Sequence, residues 1–289
     1  MRETFRSIGR GDQGVAGPRT IAWIANAASD GHRAMRTSHG LAWICSGLLS
    51  VAATAVLVRP REPATATDSL NGCEIGRVPE TEFAVLVDPT DPIPVSQTSR
   101  LGAILKHEIG GLQRGDLVSI FELAVESPSL PTRVWAQCLP ARGREVDGRL
   151  EGTRFAERRF AERVDRPVKS YVESLTARQP AANTPLLTSL AGITDRRLGA
   201  CTGTAKCKLA IVSDFLENSA MSHYRGPLPK AEEVVARYRL NLKGIDVAVV
   251  YLLRHGTPLQ GRKHLDWWIS VVEQAGGRVT SVEILGQSE

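Results

Sequence analysis

The sequence contains none of the short motifs that mark the common enzyme classes. Its 289 residues include no GxSxG nucleophile elbow, no HExxH pair, no Walker phosphate loop and no glycine-rich dinucleotide fingerprint between a strand and a helix. Aromatic residues make up only 5% of the chain and do not alternate with the arginines, which are spread along its whole length. The formal charge of +5 therefore indicates a solvated surface, and we expect no nucleic-acid binding.

The five cysteines are not spaced for zinc, because none forms a CxxC pair or lies beside a histidine. Cys45 lies in a long apolar run, and the other four follow it, an even number that suits disulfides in an oxidising compartment. Four cysteines allow three pairings. Cys201 and Cys207 flank a short loop that a disulfide can close locally. That choice leaves Cys73 to pair with Cys138, and free buried thiols are the alternative if the domain faces the cytoplasm.

The longest uncharged run, residues 41–58, begins at Leu41 and ends at Val58, and it is about long enough to cross a bilayer as a helix. Arginines before the run outnumber those directly after it, which favours a cytoplasmic N-terminus and export of the rest of the chain. A cleaved signal peptide is the rival interpretation, because Ala53, Thr54 and Ala55 fit the cleavage pattern. Both interpretations place the folded part outside the cytoplasm.

The segments on either side of this run lack the pattern of a fold. Residues 1–40 are rich in Arg, Gly, Ser and Ala, so we expect a disordered cytoplasmic arm, which Met35 would shorten if it were the true start. The proline-containing residues 59–80 are expected to form a linker. We expect the folded domain to cover residues 81–287.

This domain alternates apolar strand patterns with helical patterns. Strands are predicted at residues 83–87, 116–125, 133–138, 208–214, 245–253 and 279–285. Helices are predicted at 96–112, at 155–177 with a break or kink at Pro167, at 186–198, from Pro229 onward, and at 265–275. The order predicts an α/β fold with a doubly wound, mostly parallel six-stranded sheet and helices on both faces. The second and third strands are predicted to form a hairpin at one edge.

Oxygen-bearing side chains lie at three of the predicted junctions. The first strand runs directly into Asp88, and the stiff, proline-punctuated turn after it carries Thr90 and Asp91. Thr184 precedes a helix that it can cap, and Asp214 ends the fourth strand. Because such loops meet at the carboxyl edge of a parallel sheet, we expect these side chains to converge. Carboxylates and hydroxyls suit Mg²⁺ or Mn²⁺ better than zinc.

These residues and the order of elements resemble the von Willebrand factor A domain family. The metal-ion-dependent adhesion site of that family has an Asp-x-Ser-x-Ser motif after the first strand, a threonine in a second loop and an aspartate in a third. Asp88 and Thr90 match the first two ligands, Thr184 the loop threonine, and Asp214 the third-loop aspartate. Pro92 replaces the second serine and offers no side-chain oxygen.

The departure at Pro92 leaves several outcomes open: a weakened site, an empty site, or a site completed by Asp91 or Ser96. The resemblance implies a non-enzymatic binding module, and with the apolar run of residues 41–58 as its anchor we expect it on the outer side of a bacterial inner membrane. Such a module binds a partner protein by capturing one of its acidic groups through a divalent cation. A metal-independent scaffold in an envelope assembly is the alternative, in which Asp88 and Asp214 only cap helix N-termini.

A phosphatase similar to the haloacid dehalogenase-like enzymes is a third interpretation, with Asp88 as nucleophile. Thr90 stands where that family has its acid/base aspartate, and the lysines between Thr184 and Asp214, which are Lys206 and Lys208, belong to a predicted strand. Four histidines lie on predicted helices or loops with no nucleophile beside them, so we expect surface or capping roles for His107, His223, His255 and His264.

Overall fold

A six-stranded sheet forms the centre of the computed structural model, which describes residues 66–146, 152–196, 198, 205–223 and 227–286. The strands are β1 (Thr81–Val87), β2 (Leu117–Glu122), β3 (Thr132–Cys138), β4 (Lys206–Ser213), β5 (Ile245–Leu252) and β6 (Arg278–Leu285). Their order is β3-β2-β1-β4-β5-β6, with β3 antiparallel to β2 and the other pairs parallel. The predicted α/β class and the mostly parallel six-stranded sheet, including the edge hairpin, are confirmed.

Helices cover both faces of this sheet. They are α1 (Val95–Gly110), α2 (Thr153–Phe160), α3 (Arg166–Ser174), α4 (Leu186–Arg196), α5 (Ala231–Tyr238) and α6 (Arg262–Gln274). The first three pack on one face, where Leu101 and Val172 are buried, and the last three pack on the other, where Leu190 and Trp268 are buried. Because both faces are covered, the central strands are apolar on both sides, which explains their unbroken hydrophobic runs.

The predicted break at Pro167 is a local widening of the helix and not its end. A π-helical turn, Ala161–Asp165, joins α2 to α3, and the N–H of Arg166 bonds to the carbonyl of Ala161. Proline has no N–H with which to continue the normal α-helical ladder. The wider turn directly before it lets the helix continue on the far side.

The strand order reverses between β1 and β4. From β1 the chain builds outward through β2 and β3, and from β4 it builds outward in the opposite direction through β5 and β6. In open parallel sheets, the crevice outside the carboxyl ends of the strands at such a reversal is the usual place for a ligand. Here the crevice lies between the ends of β1 and β4, at Val87 and Ser213.

A disulfide between Cys73 and Cys138 fastens the segment before β1 to the end of β3, which confirms that predicted pair. The backbone N–H of Cys138 and the side-chain amide of Gln137 both donate to the carbonyl of Asn71, at 2.8 Å each. Cys207 is buried in β4 and is also disulfide-bonded. Its predicted partner, Cys201, lies outside the described residues.

The predicted cytoplasmic arm and apolar segment, residues 1–58, also lie outside the described residues. Within the described part, no helix is both long enough and apolar enough to cross a membrane. The end of the predicted linker, residues 66–80, is described, and a bridge between Thr67 and Glu74 folds it into a turn.

Candidate functional site

The carboxylate of Asp88 is buried at the carboxyl end of β1 and is held on both of its oxygens. Oδ1 accepts hydrogen bonds from the backbone N–H of Thr90 at 3.0 Å and from the Thr90 hydroxyl at 2.5 Å. Oδ2 accepts the hydroxyl of Ser213, the last residue of β4, at 2.6 Å. Ser213 was not predicted, yet it joins the ends of the two strands that flank the crevice.

Burial and a neighbouring charge both act on Asp88. Only 1% of the residue is exposed. Burial raises the pKa of Asp88 to about 6, and the nearby carboxylate of Asp214 adds to the rise. The hydrogen bonds from Ser213 and Thr90 act in the opposite direction. Negative charge at this position is therefore less favourable than on a solvent-exposed aspartate.

Thr184 meets Thr90 but does not cap helix α4, so the capping prediction is wrong. The hydroxyl oxygens of Thr90 and Thr184 are 3.0 Å apart. The backbone of Thr184 pairs instead with Asn218, through N–H to carbonyl bonds of 2.9 and 3.1 Å. The start of α4 is satisfied by Glu217, whose Oε2 accepts the N–H of Leu187 at 2.8 Å.

Glu217 is a site residue that the sequence reasoning missed. Its side chain is completely buried, and Oε1 also accepts the hydroxyl of Ser219. Burial raises the pKa of Glu217 to about 7, and the charge on Asp88 contributes to the rise, although the bonds from Ser219 and Leu187 oppose it. The carboxylate thereby connects the loop after β4 to the segment that carries Thr184. An acidic residue within the apolar stretch after Asp214 was the available signal.

Asp214 is buried and bonded to an arginine that was also not predicted. Its Oδ1 accepts the N–H of Leu216 at 2.9 Å, and its Oδ2 accepts Nε of Arg254 at 2.9 Å. A second guanidinium nitrogen of Arg254, Nη1, donates to the carbonyl of Pro92 at 2.8 Å. Arg254 follows the end of β5, the strand next to β4, so its place at a strand end was the signal in the sequence.

Asp91 lies at the rim of this cluster and not within it. Its side chain is 44% exposed, and its Oδ2 is 4.0 Å from Nη2 of Arg254. Partial burial raises the pKa of Asp91, and the guanidinium opposes that rise. The fold therefore brings four of the five predicted ligands together and leaves Asp91 at the mouth of the crevice.

The donor set fits an octahedral divalent ion in part. Adjacent ligands of Mg²⁺ lie about 3.0 Å apart, because each is about 2.1 Å from the ion at a right angle to the next. The hydroxyls of Thr90 and Thr184, which are hydrogen-bonded to each other, have this separation, and Asp88 adds a carboxylate beside them. Asp214 already pairs with Arg254. Within the described residues, no three His, Cys, Asp or Glu side chains are grouped to hold a metal.

The lysines considered for phosphate chemistry lie far from this edge. Lys206 begins β4, and Lys208 pairs in register with Phe83 near the start of β1. Asp88 follows the opposite end of β1, about 17 Å from Phe83 along the strand at about 3.3 Å per residue. Neither lysine can contact a phosphate group held by Asp88.

The expected surface or capping role is wrong for two of the four histidines. His223 and His264 are buried, with Nδ1 of His223 3.0 Å from Nε2 of His264. The hydroxyl of Tyr251 lies 2.6 Å from Nδ1 of His264. Burial and the neighbouring His264 lower the pKa of His223 to about 4. His107 and His255 are exposed, as expected.

Comparisons with known proteins leave the family open. No family model matches the sequence, and no curated protein matches it. Proximal thread matrix protein 1 from the mussel byssus is 10% identical with a TM-score of 0.38, over 72% of this chain and 42% of that chain. A mutant of the PilB minor pilin from Streptococcus sanguinis is 11% identical with a TM-score of 0.31, over 74% of this chain and 59% of that chain. Each match thus spans less than two thirds of the neighbour's own chain, and neither similarity assigns a function.

Proposed function

We propose that this protein is an extracytoplasmic binding module, similar to von Willebrand factor A domains, that captures an acidic group of a partner protein through Mg²⁺ or Mn²⁺. The observation that carries the proposal is the meeting of Asp88, Thr90, Thr184 and Asp214 at the strand-order reversal. Three separate chain segments supply these residues, and the two hydroxyls have the separation of adjacent metal ligands. The role proposed for the protein is binding and not catalysis.

In this proposal each residue has a distinct role. Thr90 and Thr184 bind the cation through their hydroxyl oxygens, and Asp88 balances its charge. Asp214 acts on the cation directly or through water, and Asp91 lies at the mouth, where it faces the partner. The cation supplies an open coordination position for a carboxylate of the partner. The chain's own contribution is to hold the oxygens in place before the cation binds.

The proposed location is the outer side of a bacterial inner membrane, with residues 41–58 as a single-pass anchor and the N-terminus in the cytoplasm. The Cys73–Cys138 disulfide supports export, because such bonds persist mainly in oxidising compartments. The uncharged run that starts at Leu41 and its flanking arginines support the anchor.

A metal-independent scaffold is a second candidate, and Arg254 is the observation that favours it. The guanidinium already neutralises Asp214 and lies near Asp91. Because the positive charge of Arg254 balances Asp214, the site needs no metal ion to keep its structure. In this case, partner capture would be insensitive to EDTA, whereas the cation-bridged module would lose its partner on chelation.

Calorimetric titration of Mn²⁺ into the full-length protein tests the proposal. Wild type should bind one ion at up to millimolar concentration, and the variant Asp88→Ala/Asp214→Ala should not. Asp246→Ala is the matched control, because it removes a carboxylate that pairs with Arg278 at the opposite end of β5. If the double variant binds Mn²⁺ as wild type does, or wild type does not bind at all, the cation-bridged proposal is wrong.

Asp88→Ala alone tests the link to partner binding. The variant should lose capture of the partner while its circular dichroism spectrum stays that of the wild type. Unchanged capture by a folded Asp88→Ala protein would exclude the cation bridge.

A further inference from the structure

The guanidinium of Arg254 lies beside Pro92, which stands at the position of the second serine in the motif that this sequence resembles. Nη1 donates to the carbonyl of Pro92, the residue at that serine position, at 2.8 Å. Nε bonds to Asp214 at 2.9 Å, and Nη2 faces Asp91 at 4.0 Å. The side chain is only 17% exposed. A permanent positive charge therefore lies among the predicted metal ligands.

Gln260 forms hydrogen bonds to the backbone of both Arg254 and Asp214. The N–H of Arg254 donates to Oε1 of Gln260 at 2.6 Å. The side-chain amide of Gln260 donates to the carbonyl of Asp214 and to that of Leu252, at 2.8 Å each. One side chain thus links the loop after β5 to the loop after β4. The arginine is positioned before any ligand arrives.

We infer that Arg254 is a resident cation that competes with the divalent ion for Asp214, so that tight metal binding requires Arg254 to release this carboxylate. The inference rests on the proposed function. Two positive charges a few ångströms apart in a buried site disfavour each other, and the carboxylate that pairs with one is less available to the other. The chain thereby sets a low metal affinity in the resting protein.

The two aspartates of the site differ in their partners. Both carboxylate oxygens of Asp214 have hydrogen-bond donors without a metal, and one of these donors is charged. Oδ1 of Asp214 accepts the N–H of Leu216, and Oδ2 accepts Nε–H of Arg254. Asp88 has only hydroxyl and N–H donors from Thr90 and Ser213, which carry no charge. The divalent ion would bind on the Asp88 side, and Arg254 would leave the Asp214 side, where Asp91 at the mouth offers it an alternative acceptor.

Mn²⁺ titration of full-length wild type, Arg254→Gln and Arg254→Lys tests the inference. Arg254→Gln should bind Mn²⁺ at least about tenfold more tightly than wild type, because the competing charge is gone and Asp214 is free. Arg254→Lys keeps a positive charge beside Asp214 and should stay within about threefold of wild type. Arg278→Gln is the control, since it removes an arginine that pairs with an aspartate, Asp246, at the other end of β5.

Thermal unfolding gives a second readout that does not depend on a partner. Without metal, Arg254→Gln should unfold at a lower temperature than wild type, because Asp214 is left buried without its cation. Saturating Mn²⁺ should raise the Tm of this variant more than that of wild type. If the variant does not fold, Arg254→Lys still tests the charge, and a gain in affinity as large as about tenfold in the lysine variant would overturn the inference.

The outcomes separate the two proposals. Binding that depends on Asp88 and is equally tight in wild type and Arg254→Gln overturns the inference and leaves the cation-bridged function standing. Mn²⁺ binding by Arg254→Gln but not by wild type supports the inference and overturns the cation-bridged function for wild type. Absence of binding in both proteins overturns both proposals.

Discussion

Replacing Glu217 with glutamine should change how the stability of the fold depends on pH. Glutamine has the same shape, so its oxygen can still accept the N–H of Leu187, and its amide can donate to Ser219. It has no proton to lose. Any difference between variant and wild type that grows with pH therefore reports the ionisation of the buried carboxylate.

The magnitude follows from the pKa. Burial raises the pKa of Glu217 from 4.5 to about 7. The folded state holds the proton of Glu217 more tightly than the unfolded chain does, so the protonated carboxyl group contributes to the free energy of unfolding. This contribution is complete below pH 4.5 and is lost as pH rises through about 7. One pKa unit corresponds to about 1.4 kcal/mol, so the total loss is about 3 kcal/mol. Between pH 5 and pH 8 the variant should gain about 2 to 3 kcal/mol relative to wild type.

Urea unfolding of both proteins, without metal, at pH 5 and pH 8 measures this gain. Glu126→Gln is the matched control, because it removes a carboxylate that is exposed. A stability difference between Glu217→Gln and wild type that is the same at both pH values would refute the reasoning. It would mean that Glu217 does not carry a buried negative charge at pH 8.

Two further predictions concern the framework around the site. Removing the disulfide with Cys73→Ala/Cys138→Ala should lower the free energy of unfolding by about 4 kcal/mol, because the bond closes a loop between residues 65 apart. In calorimetry the Tm should fall by about 8 to 16 °C. An unchanged Tm would contradict the chain-entropy argument. Gly192→Ala should destabilise the fold by about 1 to 3 kcal/mol in urea unfolding, because the new Cβ would clash with the carbonyl oxygen of Ser129. Gly102→Ala on α1 is the control. It should be neutral or stabilising, because the space around Gly102 is open. Equal effects of the two substitutions would rule out the close contact as the cause.

The strands and helices could be predicted from the sequence because their signals are local. The apolar run of β1 and the stripe of α6, which buries Leu265, Trp268 and Val272, can be recognised within windows of a dozen residues. The predicted ends differ from the observed ones by a few residues, as at α1, which ends at Gly110. The alternation of these elements, together with the handedness of parallel connections, was enough for the order of layers.

Part of the candidate site could also be predicted, since residues that follow parallel strands meet at one edge. This rule brought Asp88 and Asp214 together with Thr90 and Thr184. It could not assign Glu217 to the start of α4 or Ser213 to Asp88, because those bonds join residues 30 and 125 positions apart. It also could not separate Thr184 as a capping residue from Thr184 as a neighbour of Thr90.

The sequence by itself determined the α/β class, the strand-end positions of the acidic residues and the presence of cysteines suited to a disulfide. Only the tertiary structure decided the charge balance of the site. The place of Arg254 after a strand end is visible in the sequence, but nothing near it in sequence identifies its acidic partner. Its pairing with Asp214 arises only when β4 and β5 align in register, because the energy of an ion pair depends on distance in space and not along the chain.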